Sequence, residues 1–428
     1  MNLAPHTAAA MDSPAIRRAG RELLSLALMD ARNHTLHLLG LLEQRAGPGA
    51  FAAHWLAGHM GWFAEYWIGR NTQRAQGSAC PGMPTRLASI EPHADRWYAA
   101  SVGQAKHQAN GLYIPLTAAG DLPDPSALRA YLLDTLESTL DLLAKTPDQA
   151  DALYFFRLAL MHEDLRGEQL VELAQTHGLA LPLDLPNGHP PREPLVLPAQ
   201  RWMLGTAPDT SVLGHFTFDR EKWAHEVCVP EFEIDAHPVT WAQFVEFVGD
   251  GGYDRADLWH PEGWAWVTQH QRRAPRCVEQ IGVARFGGSG AVVQTVFGKT
   301  TRMAGNQAAL HISWWEADAW CRWAGRRLPS EVEWELAAHQ AARRGFQSGV
   351  QGSGVHEWTA GSLHRFPGFA PDAWASAIPR ESPSESGQVR VLRGASFATR
   401  ARLRDGKFRG FAPRGFDVGF VGFRSCAV

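Results

Sequence analysis

The stretch ALMHEDLRGEQL, residues 159–170, sets His162 directly before Glu163, as in many metal-binding helices. Four residues on, where a second helical ligand would share the face, stands Arg166, whose guanidinium is permanently charged and ligates no metal. Phe155, Leu158, His162, Leu165 and Gln169 recur at alternating spacings of three and four, so His162 lies on the face expected to meet other helices. Trp55, His59, Trp62, Phe63 and Tyr66 recur in the same way. Either histidine alone reads as a hydrogen-bonded core residue. Two on different helices point to a site, because bundles build metal centres from inward side chains and neutral imidazole is a frequent ligand for iron or zinc. Glu163, Asp164 or Glu168 would add the carboxylate of a two-histidine, one-carboxylate iron site, although none has the spacing by itself. Arg166 is expected to form an ion pair with Glu163 or with a carboxylate on a neighbouring helix.

The elements that must hold these residues are helical up to about residue 180. Segments 14–45 and 51–71 are long and apolar; a third helix starts at Asp124-Pro125, an N-cap followed by proline at the first helical position; a fourth runs from about Asp148 to Gly178. Four amphipathic helices suggest a bundle over 14–180. The proline-rich stretch 181–194 cannot continue a helix and reads as a linker. From 195 to 428 short β-like pieces (EVCVPEFEI, RVLRGASF) alternate with glycine- and tryptophan-rich loops, and TWAQFVEFVGDGG and SWWEADAWCRWAG read as helices ending at glycines. The expected class is α+β.

A chain of 428 residues, 45% hydrophobic and 20% charged, has a soluble globular composition. Its net charge of −3 gives no global attraction to nucleic acid or to anionic membrane. The five cysteines are widely spaced and form neither a disulfide framework nor a zinc pattern. With no apolar leader at the start and no run long enough to span a bilayer, the expectation is a cytoplasmic protein.

GRRLPSEVEWELAA (325–338), GVHEWTA (354–360), RVLRGASFATR (390–400) and GFVGFRS (419–425) resemble the signatures of the formylglycine-generating-enzyme-like domain, a C-type-lectin-related mixed fold. HWLAGHMGWFAEYWIGRN and MHEDLRGEQL resemble the DinB-like bundle that precedes this domain in the ergothioneine sulfoxide synthases, whose relatives include selenoneine synthase. The resemblance implies a non-haem Fe(II) held by three bundle histidines. It also implies O2 as co-substrate in joining a chalcogen to imidazole C2 of Nα-trimethylhistidine. His59 and His162 fall on the first two ligand positions and Arg166 on the third. The family's active-site tyrosine corresponds to Trp374, and the acid and arginine with which thiol-using members grip an amino-acid donor correspond to Ala412 and Phe416.

Loss of that clamp favours a selenosugar or thiosugar as second substrate and the selenoneine synthase branch. Arg166 joins Phe411, Ala412 and Phe416 as a substrate-site candidate, with Phe411 and Trp374 offering aromatic faces to the trimethylammonium group. The alternatives are a sulfoxide synthase using a thiol and a metal-poor homologue that binds a small molecule without turnover. The arginine-dense run from Arg390 to Arg414 raises a nucleic-acid reading, which ranks last because such arginines commonly pair within the domain. Ala398 and Thr399 stand where formylglycine generation would need cysteine chemistry, which excludes that activity.

Overall fold

The computed structural model describes residues 9–44, 48–99, 122–282, 291–351, 354–374 and 389–428. The first eight residues, part of the stretch read above for a leader, lie outside them.

Four long helices pack together at the N-terminal end: α1 (Arg21–Glu43), α2 (Pro48–Ala64), α3 (Pro125–Ala144) and α4 (Ala150–Thr176). Asp124 caps α3 as expected, its Oδ1 accepting from the backbone N–H of Ser126 and Ala127 ahead of Pro125 at the first turn. Helix α4 ends at Gly178, whose φ of 63° lets the Leu179 N–H turn back to the Ala174 carbonyl. Helix α2 continues into a π-helical turn, Glu65–Gly69, closed by the Arg70 N–H on the Glu65 carbonyl. No described helix is long and apolar enough to cross a membrane.

The C-terminal half is built on small sheets. One sheet orders β1 (Leu195–Leu197), β4 (Phe232–Ile234), β13 (Cys426–Ala427) and β8 (Arg326–Arg327). Another orders β11 (Gly410–Pro413), β10 (Val389–Gly394), β9 (His356–Ser362) and β12 (Val421–Phe423). Strands β2 (Gln200–Leu204) and β3 (His225–Val229) pair alone, and β5 (Val278–Gly282), β6 (Ala291–Val296) and β7 (Lys299–Met303) form a meander. Both expected helices form, α5 (Trp241–Gly249) and α7 (Trp314–Trp323). Two helices not anticipated join them, α6 (Pro261–Gln269) and α8 (Glu331–Gln340). Ser330 caps α8 in a capping box with Glu333, the S-x-x-E signal that the sequence carried.

Helix α4 is the spine between the halves. Its Asp164 pairs with Arg402 at 2.5 Å, both fully buried. Its Glu168 is the hub of a cluster with His356 (3.0 Å), Thr399 (2.8 Å) and Ser396. Tyr154 donates to Asp372 (2.7 Å), which also holds Lys222 at 2.8 Å. Buried charges paired this way cost little to keep together but a great deal to separate, so they fix how the halves dock.

Candidate functional site

His59 on α2 and His162 on α4 meet inside the bundle, their ring centroids 5.2 Å apart and their planes at 72°. Phe63 stacks on His162 at 3.8 Å, and Trp55 and Trp62 lie 5.0 and 5.3 Å from His59. The helical periodicity put both histidines inward, and α2 and α4 are neighbours, so the two faces converge. Burial first, and then the nearby Arg166 guanidinium, hold both imidazoles well below their ordinary pKa, with His59 adding to the effect on His162. Both rings are therefore neutral at physiological pH, the state in which imidazole ligates metals.

Arg166 completes the group. Its Nε donates to His162 Nε2 at 3.4 Å and its Nη1 to Gln169 Oε1 at 2.7 Å. The expected ion pair is overturned: among the described residues no carboxylate lies within ion-pair distance of Arg166. The reason is that every nearby acid is already engaged. Glu163 is held by Arg32 at 2.7 Å, Asp164 by Arg402, and Glu168 by His356, Ser396 and Thr399. The same pairings remove all three carboxylates as oxygen ligands. Burial, then the Arg220 guanidinium, lower the pKa of Arg166 to about 10, which leaves it charged at neutral pH.

No group of three or more His, Cys, Asp or Glu suited to a metal occurs among the described residues. Because Arg166 Nε bonds to His162 Nε2, the lone pair that an iron would need faces a cation. His162 Nδ1 is buried with no hydrogen-bond partner among the described residues. As placed, the set is two imidazoles and a guanidinium, and it does not fit an iron held by three protein ligands.

The other sequence candidates lie around this centre rather than in it. Trp374 donates from Nε1 to the Tyr154 hydroxyl at 2.9 Å and meets Phe218 edge-on at 6.0 Å. Tyr154 lies eight residues before His162, about 12 Å along α4. Phe411, in β11, has the Arg220 guanidinium 5.7 Å from its ring centre. Ala412 is buried in the main core, and so is Phe416, close to Gly419 and Glu172. Sequence reasoning missed Arg220, which sits over Phe218 and Phe408 as well, and the Tyr154–Asp372–Lys222 cluster. Neither belongs to a motif or shares a periodic face with the histidines. Most arginines of the 390–414 run are paired internally, among them Arg393 with Glu335, Arg402 with Asp164 and Arg409 with Glu331, while Arg390 and Arg404 donate to backbone carbonyls.

Residues 192–352 match the family described as the sulfatase-modifying factor enzyme 1-like domain, FGE-sulfatase. Hercynine oxygenase from Mycolicibacterium smegmatis is 29% identical over 438 residues, covering 91% of this chain and 95% of that protein. Hercynine oxygenase from Mycobacterium tuberculosis is 27% identical over 442 residues, covering 91% and 94%. Over nearly its whole length, then, the chain is similar to hercynine oxygenases. Against the inactive C-alpha-formylglycine-generating enzyme 2 of Mus musculus it is 32% identical over 200 residues, covering 45% of this chain and 57% of that one. The hercynine oxygenases thus match the helical half and the sheet half together, whereas the formylglycine-type relative matches less than half of the chain.

Proposed function

We propose that this chain is an oxygenase-type synthase that acts on Nα-trimethylhistidine (hercynine), joining a chalcogen to C2 of its imidazole ring with O2 as co-substrate and a selenosugar as chalcogen donor. The observation that carries the reading is the pair of buried, neutral imidazoles His59 and His162 in a chain that aligns with hercynine oxygenases over 91% of its length. The selenosugar is favoured by Ala412 and Phe416. They are buried and apolar where an amino-acid donor would need an acid and an arginine, so they suit an uncharged donor.

Fe(II), the cofactor implied by the family resemblance, would supply activation of O2, but the Arg166 guanidinium on His162 does not fit it. The chain's own residues bind and orient. The charged Arg166, with Arg220 close enough to depress its pKa, favours the carboxylate end of the substrate. The indole of Trp374, fixed by the Tyr154 hydroxyl, offers an aromatic face for the trimethylammonium group. Phe411 is the poorer face, because Arg220 already lies over it. The aromatic cage of Phe63, Trp55 and Trp62 keeps water from the imidazole pair.

The test is mass spectrometry of products from hercynine and O2 with a selenosugar and, separately, with cysteine, alongside iron analysis of the same protein. A selenium-containing product supports the reading, a sulfur product with cysteine alone moves the chain to the thiol-using branch, and no product with either donor rejects it. A second reading, a metal-free hercynine-binding homologue, is favoured by the Arg166–His162 contact. It requires hercynine to bind in the presence of a chelator with no product formed.

A further inference from the structure

Helix α4 is closed over along most of its length. Of residues 152–175, only Leu165, Arg166 and Gln169 are more than slightly exposed, and their spacing puts them on one flank of the helix together with His162. The imidazole pair therefore opens outward along this strip. Glu172 lies one turn beyond Gln169, ten residues from His162 and so about 15 Å along the axis. The helical twist turns it partway from the strip toward Glu168, the side on which the sheet half docks.

Two groups on this flank carry unused hydrogen-bonding capacity. Gln169 accepts from Arg166 Nη1 through Oε1 at 2.7 Å, and its amide Nε2 donates to no described residue. Glu172 is only 9% exposed, yet its carboxyl makes no hydrogen bond and no ion pair among the described residues. Burial first, and then Glu168, raise its pKa to about 8, so at neutral pH the carboxyl is mostly protonated and offers a donor as well as an acceptor. A buried polar group of this kind is costly to keep unless a ligand or water supplies its partner.

The surface beside Glu172 is apolar. A Cβ at Gly419 would lie 2.8 Å from Glu172 Oε1 and 2.7 Å from the Phe416 ring, so carboxyl and ring crowd the same point and glycine leaves room for both. Phe416 holds the position that the family resemblance gives to the arginine of the amino-acid clamp. Where that arginine would take a carboxylate, this chain sets an aromatic ring beside a neutral acid, a pairing that suits hydroxyl groups carried on an apolar ring, as in a sugar.

We propose that Gln169 and Glu172 bind the hydroxyl groups of an uncharged, sugar-like chalcogen donor whose ring lies against Phe416, and so determine which donor reaches the imidazole pair. This deepens the reaction proposed above and rests on it for the role of the donor; binding is measured without turnover, so the two fail separately.

The experiment is anaerobic isothermal titration of the full chain, with hercynine present, using 1-thio-β-D-glucose and the hydroxyl-free cyclohexanethiol. Saturable binding of thioglucose is expected, with cyclohexanethiol at least about tenfold weaker, the difference that one net hydrogen bond supplies. Gln169→Leu and Glu172→Leu each weaken thioglucose about tenfold and leave cyclohexanethiol unchanged, whereas Glu172→Gln, which restores a neutral donor and acceptor, recovers most of the loss. The proposal is overturned if thioglucose shows no saturation up to about 10 mM, if cyclohexanethiol binds the parent as well as thioglucose does, or if a folded Glu172→Leu chain binds thioglucose like the parent. It is equally overturned if Glu172→Leu weakens both ligands alike, the mark of a purely structural acid. Thioglucose that binds as expected to a chain forming no product with a selenosugar or with cysteine supports the subsite and rejects the proposed reaction.

Discussion

Replacing Arg166 with histidine should turn a site that repels a divalent ion into one that holds it. Arg166 Nε stands 3.4 Å from His162 Nε2. A metal on that nitrogen, at a usual bond of about 2.1 Å, would lie within roughly 4 Å of the guanidinium unless Arg166 swung away. Two unit charges at 4 Å repel by about 4 kcal/mol at an effective dielectric of about 20, so a divalent ion would face about 8 kcal/mol. Arg166 is only half-buried, so solvent screens much of this. If one third survives, about 3 kcal/mol, the affinity gain on removing the charge is about a hundredfold. Histidine adds to this by supplying a third imidazole one turn from His162. Anaerobic Fe(II) titration of the parent, Arg166→Gln and Arg166→His measures the two contributions separately: Gln should bind iron more tightly than the parent, and His more tightly still. Turnover of hercynine should follow iron occupancy. If iron affinity is unchanged or lower in Arg166→His, the arginine is a structural or substrate-binding residue, and the picture of a histidine site with one corner replaced fails.

Within the Arg166→His chain, His59→Ala or His162→Ala should each abolish the gained iron binding in the same titration; full retention in both would remove these residues as ligands. Asp164→Asn strips the partner from a fully buried arginine and should cost about 3–5 kcal/mol in urea unfolding, whereas an Asp30→Asn change at the partly exposed end of the same arginine should cost far less. Burial, and then Glu168, raise the pKa of Glu172 to about 8. The folded chain therefore binds this proton more tightly than the unfolded chain does, so stability should fall as pH rises from about 4.5 to about 8 and then level off. Glu172→Gln should flatten that slope and be the more stable protein at pH 8, read from urea midpoints across the range.

The placement of Asp164, Glu172 and Glu168 on one helix explains why so much of the bundle could be read in advance. A repeat of three and four residues assigns each side chain to a face of α4 whatever packs there, and this local rule turned His59 and His162 inward. The Asp124-Pro125 start of α3 and the Gly178 stop of α4 were equally local, since a cap depends on two or three neighbouring backbone groups. In the C-terminal half, α5 and α7 were legible from their terminal glycines. Helix α8 was not, because its buried tryptophan and acids read as a family signature rather than as a periodic face.

Position along a helix does not say which partner waits there. Glu163, Asp164 and Glu168 are near neighbours in the chain and were interchangeable as possible ligands or as partners for Arg166. Their actual partners lie far off: Arg32 at 131 residues, Arg402 at 238 and His356 at 188. An ion pair is chosen by the distances and burial that the whole fold creates, so only the packing of α1 against α4 and the docking of the sheet half onto α4 together could decide that all three acids are used and that Arg166 is left with a glutamine and a histidine. The sequence by itself determined the helices, their inward faces and the identity of the third corner residue, because these follow from periodicity and side-chain chemistry. The tertiary structure decided what that corner does, because a charge placed in a core takes its meaning from every other charge packed around it.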